Sequence, residues 1–261
     1  MTQKRWEKMI ETIQRKWQQW KKGPLMVWIL IILTCGVFLG MTLTGLLQGQ
    51  GLDGSYNSYI LIQYGALFRP LVLLQHEYWR LVSPIFVHIG LTHLILNMFT
   101  LYFLGRQLEL LLGHFRFLAI YLLTGVMGNL FSLAFANPNA LSAGASTSLF
   151  GLFGIYVTLG QVYKQFPQIQ AMSKQMLLLI VLNLLFALPT NLFGGSIDLY
   201  GHIGGVIGGL ALGLVVSSPL LEKVYPVKSI RNPHIRIIGG MIFIFFIVVT
   251  IAYTFKKFGL S

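Results

Sequence analysis

The feature that most constrains this chain is a series of long apolar stretches that carry almost no charge. Seven stretches qualify: 24–47, 88–104, 117–135, 144–163, 176–189, 202–221 and 237–255. About 18 or more apolar residues in a helix can cross the roughly 30 Å hydrocarbon core of a membrane. Only 10% of the residues are charged, whereas a soluble domain has about 25%. The sequence therefore predicts an all-α polytopic membrane protein and argues against a single soluble globule.

Two of the seven predicted spans are irregular. The fifth, 176–189, has only 14 residues and is short for a span. The first follows a basic segment, but it is long and lacks a small-residue cleavage site, so we expect a retained helix rather than a signal peptide.

The chain then divides into a basic amphipathic segment at 1–23, a six-span core at 24–221 with an outer connection at 48–87, and a linker with the seventh span at 222–261.

The distribution of basic residues predicts the orientation of the spans. With the N-terminus inside, 15 of the 19 lysines and arginines fall in inner segments, and the outer segments hold Arg69, Arg80, Lys256 and Lys257. Because basic residues concentrate in cytoplasmic loops, the sequence predicts a multi-pass protein of the cell membrane with a cytoplasmic N-terminus. The net charge of +12 would favour nucleic-acid binding in a soluble protein. Here the loops explain it, and no nucleic-acid partner is expected.

The segment at 1–23 has its own helical pattern. Apolar residues recur at helical spacing among lysines and arginines: Trp6, Ile10, Ile13, Trp17 and Trp20. This pattern is typical of an amphipathic helix lying on an anionic inner leaflet, and a solvated basic tail is the simpler alternative. The connection at 48–87 is rich in tyrosine and tryptophan, which favours a segment packed at the outer interface.

A few polar side chains lie within the spans, where polarity costs free energy and marks candidate functional sites. His93 and Asn97 are four residues apart and therefore share one helix face. Ser146 opens the fourth span and His202 opens the sixth. All these spans run from outside to inside in the predicted topology, so these residues, with His88, lie in the outer half of the membrane. One site that opens to the outer face explains this agreement.

Serine and histidine at one depth suggest nucleophilic chemistry. Ser146 is a weak nucleophile until a base takes its proton, and His202 is the kind of base that does so. At a helix start, Ser146 also has free backbone N–H groups near it that can stabilise an oxyanion. Small-residue pairs such as Gly205 and Gly209 let two membrane helices approach closely. The spacing therefore predicts that the fourth and sixth spans meet.

Other proteolytic chemistries fit the sequence less well. A zinc protease needs a pair such as H-E-x-x-H, and the chain has none. An aspartyl protease needs two aspartates within the membrane, but Asp53 and Asp198 fall in outer connections. His88 and His93 point about 140° apart on a helix, which is unfavourable for a shared metal. The serine interpretation remains, and it requires no cofactor or metal.

Four motifs, in order, resemble those of the rhomboid family of intramembrane serine proteases. The similarity extends from about Gly65 to Gly213. The motifs are Glu77-Tyr78-Trp79-Arg80-Leu81, the run from His88 to Asn97, Gly144-Ala145-Ser146 followed by Phe150, Gly151 and Gly154, and Gly201-His202-Ile203-Gly204-Gly205. The resemblance implies a six-helix transmembrane bundle, here with one additional C-terminal helix.

The resemblance also implies roles for individual residues. Ser146 would be the nucleophile and His202 its general base and acid, in a dyad without a third acid. Asn97, His93 and the Ser146 backbone amide would form the oxyanion hole. Phe150 would pack its ring on the catalytic imidazole. Further supporting positions are Gly144, Gly205, Gly209, and Trp79 with Arg80, the last two as braces of the outer connection.

The chain departs from the family pattern at two places. Thr147 follows the serine where many relatives carry glycine. Glu109 follows the second span, but Leu111 stands where some relatives carry an arginine two residues later. Two nearby residues have structural interpretations: Asp198 is predicted to cap or shape its loop, and His88 to pack.

Two classes of function fit these observations. The first is a protease that cleaves single-span transmembrane proteins near the outer face. The resemblance implies that its substrates would reach the site from the bilayer between the second and fifth spans, under a movable cap formed by residues 191–201. The second is a catalytically silent relative that binds membrane proteins for quality control. The intact serine and histidine favour the protease. A transporter is disfavoured because no inverted repeat or broken helix pair is evident.

Overall fold

A computed structural model of the chain describes residues 24–192, 197–224 and 233–259. The predicted amphipathic segment at 1–23 and residues 193–196 of the predicted cap lie outside the described residues. The helices are α1 (Leu25–Leu47), α2 (Ser58–Gln63), α3 (Arg69–Leu74), α4 (Leu91–Thr100), α5 (Arg106–Leu112), α6 (His114–Phe135), α7 (Ser146–Val162), α8 (Pro167–Leu192), α9 (Leu199–Val215), α10 (Pro219–Val224) and α11 (Pro233–Phe258). Two short strands, β1 (Leu67–Phe68) and β2 (Leu141–Ser142), pair antiparallel.

The long helices confirm the prediction of an all-α polytopic membrane protein. Within the described residues, five helical stretches are long and apolar enough to cross a membrane: Leu25–Leu47, His114–Phe135, Pro167–Pro189, Leu199–Glu222 and Pro233–Phe258. Helix α7 is apolar but shorter. Helices α4 and α5 are joined by a π-helical turn at Leu101–Gly105, so the second predicted span continues to Leu112. The fifth span belongs to a helix of 26 residues rather than 14, because its polar first turns continue the helix before the apolar stretch.

Helix α7 is the centre of the bundle. It packs against α6, α8 and α9, and most of its residues are buried. With 17 residues it is about 25 Å long, shorter than α6 and α8. Its first residue, Ser146, lies toward one end of the bundle. We call this end, where α7 and α9 begin, the site end.

A buried carboxylate holds the opposite end of the bundle together. Glu109 is fully buried and accepts hydrogen bonds from the backbone N–H groups of Met26 and Val27, each at 2.9 Å. These groups lie in the first turn of α1, where N–H groups lack helical partners and a negative charge is favourable. His114 also pairs with Glu109. The departure at Leu111 therefore leaves Glu109 with partners on α1 and α6.

Candidate active site

The structure brings Ser146 and His202 into direct contact at the site end. Ser146 is the first residue of α7, and His202 lies in the first turn of α9. The distance from His202 Nε2 to Ser146 Oγ is 3.0 Å, which is within hydrogen-bond range. The imidazole is buried, with 8% of its residue surface exposed. This is the geometry in which an imidazole can take a proton from a serine hydroxyl.

Glycines on α9 make that contact possible. A Cβ at Gly205 would collide with the backbone oxygen of Thr147, and one at Gly209 would collide with the backbone of Gly151. Helices α7 and α9 therefore touch backbone to backbone, closer than any larger residue would allow. The close approach brings the two helix starts, and with them Ser146 and His202, side by side.

Two neighbours orient the imidazole. The Phe150 ring stacks on His202 with centroids 4.0 Å apart and planes 8° from parallel. Phe150 is one turn after Ser146 on α7, so one helix supplies both the hydroxyl and the stacking surface. Among the described residues, no group hydrogen-bonds to Nδ1 of His202. The pair therefore has no third acidic member within this part of the chain.

Asp198 caps α9, as the sequence predicted. Its carboxylate accepts from the backbone N–H of Gly201 at 2.8 Å and from the hydroxyl of Ser142 at 2.5 Å. Its backbone oxygen accepts from the N–H of His202 at 3.1 Å. These bonds fix the first turn of α9 and link it to β2.

The two predicted oxyanion donors lie beside the serine. His93 and Asn97 line the same cavity as Ser146 and His202. Asn97 is buried and donates one side-chain N–H to the backbone oxygen of His93 at 2.8 Å, which leaves its second amide hydrogen for another acceptor. Gly144 has φ +139°, and a Cβ there would lie 2.7 Å from the His93 ring. Glycine at this position therefore permits both the backbone turn and the approach of His93.

His88 supports the turn that carries the serine. Its side chain is fully buried, and its Nε2 accepts a hydrogen bond from the backbone N–H of Ala145 at 3.2 Å. Its ring also lies 5.1 Å from that of His93. The sequence assigned His88 to packing; its bond to the residue before Ser146 was missed. A histidine in an apolar stretch is the only signal of it, and that signal does not identify the partner.

Thr147 fits a space left by two glycines. Its side chain is buried between α6 and α9. A Cβ at Gly128 would lie 2.7 Å from the Thr147 Cβ, and one at Gly201 would lie 3.0 Å from its Cγ2. The larger residue is thus accommodated by glycine on both facing helices, and the position of Ser146 on α7 is preserved.

The cavity around the pair has a volume of about 670 Å³. Its lining includes apolar side chains of two helices, Leu96 on α4 and Leu179 and Phe186 on α8, together with polar ones such as Asn183. Leu96 and Phe186 are 61% and 73% exposed. These exposed lining residues make the part of the cavity between α4 and α8 its more open side.

Trp79 and Arg80 are absent from the lining of this cavity. The buried Arg80 guanidinium donates to the backbone oxygens of Ile62 and Ala66 at 2.7 and 3.0 Å. It also pairs with Glu77 and stacks on the Trp79 ring at 4.3 Å. The motif thus ties together the connection between α1 and α4.

Within the described part of the chain, no cluster of three His, Cys, Asp or Glu residues is placed to bind a metal.

Comparisons with known proteins show the family of the chain. A family profile described as the rhomboid domain matches residues 75–219. Rhomboid protease GluP of Bacillus subtilis (strain 168) is 40% identical over 167 residues, which are 62% of this chain and 31% of that protein. Rhomboid-like protease 1 of Toxoplasma gondii is 33% identical over 63% of this chain and 55% of its own length. Rhomboid-like protease 2 of Toxoplasma gondii is 30% identical over 76% of this chain and 69% of its own length.

The domain match covers more than half of the chain and includes all four motifs. The chain therefore belongs to the rhomboid family, which confirms the resemblance found in the sequence. It spans about a third and about half of the length of the first two relatives above.

Proposed function

We propose that this rhomboid-family chain is an intramembrane serine endopeptidase that cleaves transmembrane helices of single-span membrane proteins. The observation that carries the proposal is the 3.0 Å contact between Ser146 Oγ and His202 Nε2, at a cavity that is also lined by exposed apolar side chains of α4 and α8. A serine and histidine in contact within an apolar bundle form a nucleophile and its base.

The proposed reaction proceeds in two halves. His202 Nε2 takes the proton of Ser146 Oγ as the oxygen attacks the scissile carbonyl carbon. His202 then gives that proton to the leaving amine, and the carbon–nitrogen bond breaks to leave an ester on Ser146. In the second half His202 takes a proton from water, the hydroxide attacks the ester, and the proton returns to Ser146. Phe150 holds the imidazole plane through both halves.

Three donors are proposed to stabilise the tetrahedral oxyanion. The Ser146 backbone N–H lies in the first turn of α7, where it has no helical acceptor. Asn97 has one amide hydrogen that its bond to His93 leaves available. The His93 ring lies against Gly144, next to the serine. Preorganised donors of this kind stabilise developing charge without reorganisation.

The open side of the cavity suggests how a substrate reaches the serine. A peptide bond in a helix is shielded because its carbonyl accepts an i→i+4 hydrogen bond, so the substrate must unwind locally. Unwinding in lipid leaves backbone groups unsatisfied, and a recessed site that water can reach lowers that cost. We therefore propose substrates with glycine or proline near the cleaved end of the helix. From the charge distribution, we propose that the site faces the outside of the cell membrane and the N-terminus faces the cytoplasm.

A catalytically silent, substrate-binding role is the second candidate, since the 3.0 Å contact can also be structural. Labelling of the purified protein by a fluorophosphonate separates the two. We expect wild-type protein to be labelled at Ser146 and Ser146→Ala to remain unlabelled. Ser148→Ala, which removes a buried hydroxyl two residues along α7, is the matched control and should be labelled. Equal labelling of wild type and Ser146→Ala would rule out this nucleophile.

A further inference from the structure

The C-terminal end of α11 is fastened to the site end of the bundle. Lys257 Nζ donates to the backbone oxygen of Ala134 at 3.0 Å, near the end of α6. The half-buried Phe258 ring lies under the Arg69 guanidinium, with Cζ 4.6 Å from the ring centroid. The last carbonyls of a helix lack helical donors and favour positive charge. The bond to Ala134 therefore accounts for a lysine at this end of the seventh span, although the charge pattern predicts few basic residues on the outer side.

Arg69 carries the connection one step further. Its guanidinium is buried and donates to the backbone oxygens of Ser132 and Ala136 at 3.4 and 2.7 Å. Arg69 directly follows β1, whose Leu67 is paired with Ser142 of β2. The end of α6, the end of α11 and the β1–β2 pair therefore form a single packed joint.

The contacts of this joint extend to α9, the helix that carries His202. Ser142 donates to Asp198, which also accepts from Gly201 and from the backbone N–H of His202. A continuous set of contacts thus leads from Phe258 through Arg69 and the strand pair to the first turn of α9. No step of the proposed reaction uses Arg69, Ser142, Lys257 or Phe258.

We propose that the end of α11 is a positioning element for His202, acting through Arg69 and the bond between Ser142 and Asp198. This inference rests on the proposed protease function. A misplacement of about 1 Å between nucleophile and base can cost about 10²-fold in rate, and three bonds of Asp198 fix the first turn of α9. Release of the joint should therefore slow the chemical step while substrate binding at the open side of the cavity is retained.

The test compares single and double variants of the full chain. Phe258→Ala, Lys257→Met and Ser142→Ala are expected to lower kcat for a transmembrane substrate by about 2- to 30-fold, the range for changes along contact networks. For Phe258→Ala and Lys257→Met, whose side chains do not line the cavity, KM should stay within about twofold of wild type. Lys257→Arg, which keeps the cation, should restore the rate. The double variant Phe258→Ala/Ser142→Ala should lose no more than the larger single loss, because both break one connection.

Matched controls come from the same helix. Phe255→Ala and Lys256→Met remove exposed side chains of the same types and should leave kcat unchanged. The rate of fluorophosphonate labelling of Ser146 gives a readout without substrate and should fall in parallel with kcat. If Phe258→Ala does not fold, the comparison of kcat between Lys257→Met and Lys257→Arg tests the proposal instead.

Three results would overturn the inference alone: unchanged labelling and kcat in the joint variants, a rise in KM without loss of kcat, or an equal loss in Phe255→Ala. Multiplying losses in the double variant would equally show that α11 and Ser142 act independently. Absence of Ser146 labelling in the wild-type protein would instead overturn the proposed function, and this inference with it.

Discussion

The two sides of the cavity differ in how closely their helices pack. On the α7–α9 side, Gly205 and Gly209 bring two backbones into contact, and a ring stack and a helix cap fix the imidazole. On the α4–α8 side, the lining includes large apolar side chains such as Leu96 and Phe186, which are mostly exposed, in addition to the proposed oxyanion donors on α4. One side leaves no space, whereas the other is open to its surroundings.

This difference separates two requirements of the proposed reaction. Nucleophile and base must keep a fixed distance, because misplacement is costly to the rate, and backbone contact in a close-packed interior resists displacement. In the proposed reaction a substrate helix passes between α4 and α8, and side chains with few buried contacts move aside at low cost. Changes on the α7–α9 side should therefore reduce kcat, and changes at the exposed apolar residues of α4 and α8 should mainly alter substrate capture.

The largest effect is expected from the pair itself. Ser146→Ala and His202→Ala should each abolish cleavage, because residues that act as a unit cost up to about 10⁶-fold in kcat when one is removed. Cleavage of a model transmembrane substrate, followed on gels, is the measurement. Both variants should remain folded, as judged by thermal unfolding in detergent. Substantial turnover by either would contradict the dyad.

A pair of asparagines, Asn97 on α4 and Asn183 on α8, compares a proposed catalytic position with a proposed substrate-binding position by the same substitution. Asn97→Ala should lower kcat by about 10²- to 10³-fold if it removes an oxyanion donor, and less where His93 and the Ser146 amide compensate. Asn183 on α8 lines the same cavity and makes the same kind of bond, from its amide to the backbone oxygen four residues earlier at 2.8 Å. Asn183→Ala should alter KM more than kcat. The reverse pattern would place Asn97 in binding and not in chemistry.

Much of the α7–α9 side was predictable from the sequence. Polar residues inside apolar spans are rare, so Ser146 and His202 stood out, and the glycine spacing indicated which helices touch. The structure places the two side chains 3.0 Å apart. The ring stack of Phe150 followed from family resemblance. In each of these cases a short local pattern contains the information.

The remaining features depend on contacts between distant parts of the chain. Lys257 bonds to a carbonyl 123 residues away, and Glu109 caps a helix 83 residues earlier. Neither partner is a side chain, so residue types reveal nothing of the pairing. The length of α8 was underestimated for a different reason: polar residues in its first turns hide the helix from a hydropathy criterion. The charge pattern did mark Lys256 and Lys257 as unusual, although it could not identify a partner.

A smaller effect should come from replacing a glycine on the α7–α9 side with a larger residue. Gly209→Ala places a methyl group against the backbone of Gly151, and overpacking of this kind costs about 1–3 kcal/mol. The melting temperature and kcat should both fall. Gly36→Ala is the matched control, because a Cβ there meets nothing within 4 Å, and it should be neutral or stabilising by up to about 1 kcal/mol. Equal behaviour of the two variants would show that α7 and α9 do not need backbone contact.

The smallest effect should come from loosening the open side. Complete burial of a phenylalanine is worth about 1.5–3 kcal/mol, but Phe186 is already 73% exposed, so Phe186→Ala releases less than about 1 kcal/mol. If the contact holds α8 against α4, its loss should raise kcat/KM for a transmembrane substrate by less than about fivefold. Hydrolysis of a water-soluble unstructured peptide, which need not pass between the helices, should not change. Leu185→Ala, which truncates an exposed neighbour that does not line the cavity, should leave both rates unchanged. An equal rise for both substrates would mean that Phe186 affects the chemical step, and the division of labour between the two sides would be wrong.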